Sequence, residues 1–360
     1  MVSTTEVKTL PVQALPFLSR AQASLTYEVK AVNEHGEQIS VAIPAERALT
    51  VYVDKRELVT LMTLGASPEL LVLGYLHNQR LVQHVEEIES ITVDWDVAAA
   101  AVKTRDGIAD IEEKTARRVV TTGCGQGSVF GGLMDEIDQI RLPANVSMTQ
   151  SQLYALVNTI RLKETTYKSA GSVHACALFE ITLGEPKMLV FVEDVGRHNA
   201  IDTIAGWMWM NGAPTLPTAC GSLHLADRRS PEASLLESVQ TCSSSFGAVG
   251  SSSEGALRLQ TGKAGSAALT GEEGGAVAGL PISSGSKNLV FYTTGRLTSE
   301  MVIKSAQMGV PIVVSRSGIT QMGHQVAQMV GLCAIGRATN KRFVCYAHAE
   351  RLELEPGLAC

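Results

Sequence analysis

The organisation of this chain follows from the stretch Arg118-Val119-Val120-Thr121-Thr122-Gly123-Cys124-Gly125-Gln126-Gly127-Ser128. The β-branched residues from Val119 to Thr122 favour an extended backbone, so the stretch begins as a strand. The glycines around Cys124 permit left-handed backbone angles and keep bulky side chains away from the thiol. The pattern predicts an exposed cysteine on a pliant loop that follows a strand.

A helix is predicted directly after this loop, with Ser128 as its cap. Apolar residues recur there at helical spacing, namely Phe130, Leu133, Met134, Ile137 and Ile140. The positive end of a helix lowers the pKa of a nearby thiol, and the thiolate is the reactive form. Cys124 is therefore the candidate nucleophile. Most single cysteines are instead small buried hydrophobes, which is the role predicted for Cys176, Cys333 and Cys345.

Size and composition are those of an ordinary globular protein. The chain has 360 residues, of which 45% are hydrophobic and 18% are charged, and its formal net charge is -6. This charge argues against a general nucleic-acid binder. No apolar run approaches the length of a membrane span, and Met1 to Arg20 does not read as a signal peptide. With seven scattered cysteines, the sequence predicts a cytoplasmic protein with free thiols.

The first third of the chain reads as a loose tail followed by a small α+β domain. The tail runs from Met1 to about Ala23, and the domain spans residues 24–115. Its predicted elements, in chain order, are strands at 25–31, 39–43 and 49–53, a helix at 69–81, and strands at 88–93 and 97–102. The predicted hairpin turn between the first two strands is Asn33-Glu34-His35-Gly36.

The rhythm changes to strand, loop and helix in the second domain, residues 116–352. The predicted strands are 188–192, 289–293, 311–315, 333–335 and 343–346, and the predicted helices are 199–210, 298–309 and 320–330. Such alternation indicates a parallel or mixed sheet with helices on its faces, in which ligands bind beyond the carboxyl ends of the strands.

Four loops of the second domain each follow a predicted strand. They carry Cys124, the pair Arg197-His198, Arg296, and the pair Arg316-Ser317. If the four strands share one direction, these loops meet on one rim of the sheet. Residues 212–286 interrupt the alternation with a Gly-, Ser- and Ala-rich block, which is interpreted as a largely disordered insertion without chemistry.

Phosphate binding is the chemistry that best fits the rim. Arg197-His198 and Gly295-Arg296 occupy glycine-containing loops ahead of helices, where backbone N–H groups, the helix dipole and a guanidinium can converge on an anion. A single such arginine is more often an ordinary surface residue. The basic turn Arg337-Ala338-Thr339-Asn340-Lys341-Arg342 reads either as a solvated hairpin turn or as a phosphate clamp.

Two other site classes are weakly supported. A zinc site needs three or four converging ligands, and His174-Ala175-Cys176 is the only tight His/Cys pair in the sequence. No metal site is therefore predicted. The Walker lysine pattern and the dinucleotide fingerprint are both missing, which argues against nucleotide hydrolysis.

Taken together, the motifs resemble the formate dehydrogenase accessory sulfurtransferase family (FdhD). The segments that carry the resemblance are Glu46 to Thr50, Thr122-Gly123-Cys124-Gly125, Val173-His174-Ala175, Asp194 to Ala200, Thr294-Gly295-Arg296, Ser299 to Val302, Gly309-Val310-Pro311 and Tyr346 to Leu352. They extend from about Glu46 to Leu352, apart from the Gly/Ser-rich block.

The resemblance implies both a fold and a function. The fold would be a three-layer αβα, cytidine-deaminase-like domain with a mixed sheet, without zinc chemistry. Cys124 would accept persulfide sulfur from a cysteine desulfurase and pass it to the molybdenum of a bis-molybdopterin guanine dinucleotide cofactor for formate dehydrogenase. Members are often homodimers. Cofactor contacts are expected from the Arg337–Arg342 turn and from Arg197, His198, Gly295 and Arg296.

One position departs from the family pattern. Many members carry Cys-x-x-Cys in the loop, whereas the second position here is Gly127. A single thiolate can still hold a sulfur atom, but a disulfide within the loop is lost. The missing second cysteine keeps open the alternative of a non-catalytic cofactor chaperone. A zinc hydrolase of deaminase type is a separate alternative that also stays open.

Overall fold

A computed structural model describes residues 15–109, 111–112, 119–120, 127–128, 137, 140–163, 165–212 and 288–358. Within these residues the chain forms two main sheets and six α-helices. The fold is therefore mixed α/β, as predicted, while its similarity to cytidine deaminases stays a prediction. The division into domains at residue 115 also stays a prediction.

The N-terminal region is a five-stranded sheet covered by one helix. Its elements are β1 (Phe17–Leu18), β4 (Arg47–Val53), β5 (Arg56–Thr63), α1 (Pro68–Asn78), β6 (Ile88–Asp94) and β7 (Ala99–Thr104). The sheet order is β1-β6-β7-β4-β5. Alternate residues of β4, Leu49, Val51 and Val53, are buried against α1, which is the period-2 pattern that predicts this strand.

A separate hairpin lies in the chain between β1 and β4. Strands β2 (Thr26–Val32) and β3 (Gln38–Pro44) pair antiparallel. The turn is closed by Asn33, whose side chain accepts hydrogen bonds from the backbone of His35 and Glu37, and Gly36 adopts a φ of 78°. The predicted strands and their turn are confirmed.

The C-terminal region is built on a six-stranded mixed sheet. Its strands are β11 (His174–Glu180), β12 (Lys187–Asp194), β13 (Leu289–Thr293), β14 (Ile312–Ser315), β15 (Cys333–Thr339) and β16 (Arg342–Ala347). The order is β12-β11-β13-β14-β15-β16. β13, β14 and β15 are parallel, and β11 is antiparallel to both β12 and β13, so β12 runs in the same direction as the central three.

Helices pack on both faces of this sheet. One face contacts α4 (Arg197–Met210), α5 (Ser299–Gln307) and α6 (Gln321–Val330). The other face contacts α2 (Gln150–Lys163), whose Leu153, Leu156 and Ile160 are buried against it. A short helix, α3 (Thr166–Ala170), precedes β11. Strands β10 (Met148–Thr149) and β17 (Leu352–Glu353) pair beside α2.

Helices α1 and α4 join the two regions by crossing at two glycines. A Cβ added at Gly74 would lie 1.7 Å from the carbonyl oxygen of Asp202, and one added at Gly206 would lie 2.0 Å from that of Leu70. Only glycine permits this approach of the two backbones. In the described part of the chain, no helix is long and apolar enough to cross a membrane.

Three local predictions need correction. Phe17–Leu18 forms a strand parallel to β6 within the segment predicted to be a loose tail. Ser128 lies in a strand, because β8 (Val119–Val120) and β9 (Gly127–Ser128) pair antiparallel. The pair β8–β9 forms its own ladder rather than a part of the six-stranded sheet.

The predicted helix after Ser128 lies largely outside the described residues. Its described members Ile137 and Ile140 are buried in the core shared by the sheet and α4–α6, as the apolar spacing predicts. The Gly/Ser-rich block from 213 to 286 also lies outside the described residues.

Candidate functional site

The candidate site is the rim where four parallel strands end. The carboxyl ends of β12, β13, β14 and β15 lie on this side of the sheet, and β11 begins there at His174. The rim therefore collects the loops that carry Arg197, Arg296 and Arg316, together with the basic turn after β15. The predicted convergence is confirmed for these loops. Cys124 lies outside the described residues, between β8 and β9 in sequence.

The basic turn is shorter than the sequence suggests. Strand β15 continues to Thr339 and β16 begins at Arg342, so only Asn340 and Lys341 connect the two strands. Arg337 is a strand residue with a φ of 53°, and its N–H donates to the carbonyl of Ser317 at 2.6 Å. Ala338 is buried and lies at the wall of a pocket beside the turn.

Exposed cations form a strip along this side of the rim, which we call the outer strip: Arg161, Arg316, Arg337, Lys341 and Arg342. A pocket of about 190 Å³ contains Arg161 and Arg316 together with Tyr292, Thr339 and Asn340. A neighbouring pocket of about 360 Å³ shares Arg161 and Asn340 and adds Lys341. Guanidinium and ammonium groups around an open concavity are suited to phosphate.

Helix α2 fixes the basic turn in place. The hydroxyl of Tyr154 donates to the carbonyl of Lys341 at 3.1 Å, and the Tyr154 ring lies 6.2 Å from that of Phe343. Arg161 lies two turns further along the same helix, so α2 sets the position of one cation relative to the turn.

Arg316 is oriented by a second aromatic residue. Its guanidinium lies 5.7 Å from the centre of the Tyr167 ring, in a cation–π contact. Tyr167 belongs to α3, and the buried carboxylate of Glu193 accepts hydrogen bonds from the backbone N–H groups of Thr166 and Tyr167 at 2.8 and 3.0 Å. Glu193 thereby satisfies two free N–H groups at the start of this short helix.

The Arg197-His198 pair is buried at the rim rather than displayed on it. Arg197 is 4% exposed and His198 is 5% exposed. The methylene groups of Arg197 cover Gly295, where an added Cβ would lie 2.7 Å from the Arg197 Cδ. Gly295 is thus needed for this packing. Arg296, the next residue, is exposed.

A buried charge network lies behind the rim, and we call it the inner cluster: His198, Asp202, Glu300 and Lys304. Lys304 is fully buried, with its Nζ 2.9 Å from Asp202 Oδ2 and 3.3 Å from Glu300 Oε1. Asn78 on α1 donates to the other Asp202 oxygen at 2.7 Å. Burial disfavours charge on Lys304, but the two carboxylates outweigh it and hold its pKa above the usual range.

His198 is neutral in the folded protein. Burial lowers its pKa from 6.5 to about 3, against the opposing attraction of Glu300, whose Oε2 lies 3.4 Å from Nε2. The positive charges of Lys304 and Arg197 lower the pKa further. Because this contact is long and the imidazole is uncharged, we treat it as a polar contact rather than as an ion pair.

Asp194 ties the rim to the N-terminal sheet. Its carboxylate accepts hydrogen bonds from the hydroxyl of Thr63 at 2.5 Å, the backbone of Leu64 and Gly196, and the side chain of Asn199. Asn199 also donates to the carbonyl of Met62 at 2.6 Å. The Asp194-to-Asn199 motif therefore anchors the loop ahead of α4.

The zinc alternative depends on His174 and Cys176, and the structure shows the surroundings of both. Burial raises the pKa of Cys176 to about 12, so its thiol is inert at neutral pH. His174 is half-buried, and burial together with Arg197 and Arg296 lowers its pKa. Among the described residues, no group of three or more His, Cys, Asp or Glu is arranged to hold a metal ion.

Sequence reasoning did not identify Arg161, Tyr154, Tyr167 or Glu193 as site residues. A signal for Arg161 was present, because Leu153, Leu156, Val157 and Ile160 recur at helical spacing and place it on a helix. The other three act through contacts with residues 26 to 187 positions away, which leave no local pattern.

Comparisons with known proteins agree on one family. The family model described as the FdhD/NarQ family matches residues 44–230 and 276–353, which is well over half of the chain. The "Sulfur carrier protein FdhD" of Bacillus subtilis is 24% identical over 321 residues, covering 89% of this chain and 94% of that protein. The protein of the same name from Wolinella succinogenes is 21% identical, covering 88% of this chain and 84% of that protein.

A solved structure is similar as well. The crystal structure from Desulfotalea psychrophila, named as that of a formate dehydrogenase accessory protein, has a TM-score of 0.55 and 18% identity, covering 91% of this chain and 98% of that one. At this identity the likeness establishes the fold alone.

Proposed function

Since this chain belongs to the FdhD/NarQ family, we propose that it is a sulfur carrier for formate dehydrogenase. Cys124 takes persulfide sulfur from a cysteine desulfurase. It then passes that sulfur to the molybdenum of a bis-molybdopterin guanine dinucleotide, which is the cargo of the protein rather than a resident cofactor. We propose further that the protein is a sulfurtransferase, that it is cytoplasmic and that it acts as a homodimer.

The outer strip is the observation that supports a phosphate-rich cargo. Three of its exposed cations, Arg161, Arg316 and Lys341, line adjoining pockets of about 190 and 360 Å³, and both pockets include Arg161 and Asn340. A guanine dinucleotide carries a pyrophosphate, and a planar guanidinium binds such oxygens in a bidentate manner. An anionic cargo can therefore be held by groups that already face solvent, at the edge where ligands of α/β sheets bind.

Arg197 and His198, the buried pair at the rim, have a different role from the exposed cations. The sequence predicts that Arg197 and His198 contact the cargo directly, and we propose an indirect role for them instead. Since both side chains are buried and Arg197 packs on Gly295, we assign them a positioning role. Direct phosphate contact falls to Arg296 and the outer strip.

The sulfur step needs one nucleophile. The Cys124 thiolate attacks the terminal sulfur of the donor's persulfide, forming a new S–S bond while the donor's own cysteine leaves as a thiolate. Cys124 then holds one additional sulfur at the same oxidation level. The sequence places a glycine, which has no side chain, on each side of Cys124.

The test is sulfur loading measured on the intact protein. Treatment with a cysteine desulfurase and cysteine should add about 32 Da to the wild type, and cyanide should remove that mass. Cys124→Ala should stay unloaded, while Cys360→Ala serves as the matched control and should load normally. Equal loading of Cys124→Ala would overturn the carrier mechanism.

A second candidate function is a cofactor chaperone that binds the dinucleotide without moving sulfur. Gly127 favours it, because this position pairs with Val120 as a strand residue and supplies no second thiol. Retained binding of guanosine diphosphate by a wild-type protein that never gains sulfur would select the chaperone.

A further inference from the structure

Two cysteines outside the rim lie side by side. Cys333 begins β15 and Cys345 lies near the end of β16, and their sulfur atoms are 3.8 Å apart. Because β15 runs toward the rim, this pair lies at the opposite end of the strand from the basic turn. It is therefore separate from the candidate site described above.

The ladder between the two strands is irregular at this point. Ala334 pairs with Ala347 and Ile335 with Cys345, so the register shifts between Ala334 and Ile335. Because Cys345 pairs with Ile335, Cys333 lies two residues away on the same face and diagonally across from Cys345, and both cysteines contact the core beneath α2. A disulfide bond is about 2 Å long, so the sulfur atoms need to approach by roughly 1.8 Å, which side-chain torsions can supply.

The two thiols are unequal. Cys333 is fully buried and Cys345 is half-buried, so an attacking reagent reaches Cys345 first. The hydrogen bond from Cys333 lowers the pKa of Cys345, and His348 acts in the same direction. The pKa of Cys333 is correspondingly raised by this hydrogen bond and by burial. An accessible thiol of lowered pKa beside a buried thiol is the arrangement of an attacking and a resolving cysteine.

We propose that Cys345 and Cys333 form a redox-active dithiol that closes to a disulfide on reaction with a low-molecular-weight disulfide. The Cys345 thiolate attacks one sulfur of the reagent, forming a mixed disulfide and releasing one small thiol. Cys333 then attacks the sulfur of Cys345 and releases the second small thiol. The two cysteines are oxidised, the reagent is reduced to two thiols, and the two protons leave on those thiols.

The alternative of a metal site at this pair is not supported, since no three metal-binding side chains are grouped in the described residues. The third described cysteine provides a contrast. The Cys176 sulfur contacts the hydroxyl of Thr293 at 3.3 Å and is fully buried. Cys176→Ser is therefore the matched control.

The test uses the full-length protein in glutathione buffers poised from about −300 to −150 mV. After acid quenching and alkylation, non-reducing peptide mapping should show a linked pair of peptides containing Cys333 and Cys345, lighter by about 2 Da than the two reduced peptides together. Cys176→Ser should form the same link.

A second variant tests the order of the steps. Cys333→Ser should retain glutathione on Cys345, with a gain of about 305 Da, because no resolving thiol remains. The proposal is overturned if both cysteines of the folded wild type stay open to alkylation at the most oxidising potential, or if the link forms only in urea. Absence of the glutathione adduct on folded Cys333→Ser overturns it as well. If that variant does not fold, the wild-type map decides alone.

Discussion

The inner cluster and the outer strip sit at the same end of one sheet but handle charge in opposite ways. In the inner cluster, Lys304 is fully buried and satisfied by Asp202 and Glu300. In the outer strip, Arg316 and Lys341 are exposed and line open pockets. The charges of the inner cluster pair with one another inside the protein, whereas those of the outer strip face solvent.

The contrast shows that two arginines with the same sequence context can differ completely in burial. Arg197 and Arg316 both follow a strand and precede a helix, so the sequence predicts the same position for both, in a loop at the rim. The first is 4% exposed and packs on Gly295, while the second contacts Tyr167 at the surface. Changes in the inner cluster should therefore alter stability, and changes in the outer strip should alter binding.

The largest effect is expected from Lys304→Met. This change keeps the volume but leaves Asp202 and Glu300 as buried carboxylates without their cation. Such a change should lower the free energy of unfolding by about 3–5 kcal/mol, measured by urea denaturation.

The control is Lys341→Met in the outer strip, which should change stability by less than about 0.5 kcal/mol. Adding Asp202→Asn to Lys304→Met should recover part of the loss. A loss below about 1 kcal/mol for Lys304→Met would mean that the cluster behaves like a surface pair.

Acidification should destabilise the folded protein through its buried imidazoles. Burial lowers the pKa of His198 to about 3 and that of His77 to about 4, against 6.5 in the unfolded chain. Below pH 6.5 the unfolded chain binds protons that the folded chain does not. The stabilisation is therefore complete above pH 6.5 and is lost as the pH falls toward 3, at up to about 1.4 kcal/mol per pH unit for each imidazole.

Urea denaturation at pH 7 and pH 5 measures the average slope of stability against pH, and His198→Gln should reduce that slope by about 1 kcal/mol per pH unit, which corresponds to about 0.7 proton. The comparison with the variant is needed because Asp194 and Asp202 act in the opposite sense. Burial raises the pKa of both carboxyls, so protonation favours their folded state. An unchanged slope in His198→Gln would show that this imidazole does not stay neutral.

A smaller effect, on binding alone, is expected in the outer strip. Arg316→Ala removes a cation from the pocket of about 190 Å³ and should weaken binding of guanosine diphosphate roughly tenfold, because a charged hydrogen bond is lost. Calorimetric titration measures the affinity. Lys187→Ala, an exposed cation at the opposite end of β12, should bind normally. Equal weakening in both variants would indicate nonspecific attraction.

The smallest effect is expected from Tyr167→Ala. Loss of the ring removes a cation–π contact worth about 0.5–1 kcal/mol and frees Arg316 to change rotamer. Affinity for guanosine diphosphate should fall about two- to fivefold. Tyr167→Phe keeps the ring and should bind as the wild type does; a loss in that variant would assign the effect to the hydroxyl group instead.

The strands and helices with clear periodicity were predictable. Strand β13 is found at its predicted residues, 289–293, and α6 begins within one residue of its predicted start. Strand β11 was missed, because Ala175 to Phe179 is buried on both faces and shows no alternation. Strand β1 was missed because two residues gain their stability from β6 rather than from any local pattern.

The sequence by itself determined the types of the clearly periodic elements and the family, because periodicity is a property of local spacing and the family motifs are contiguous in the chain. The shared direction of the strands that end at the rim was established by their pairing. Only the tertiary structure decided which rim cations are buried and which face solvent. It also decided that Tyr167 meets Arg316 and that Cys333 meets Cys345. Burial and long-range contact depend on how distant elements pack, and an isolated arginine or cysteine carries no signal of the side chain that will lie against it.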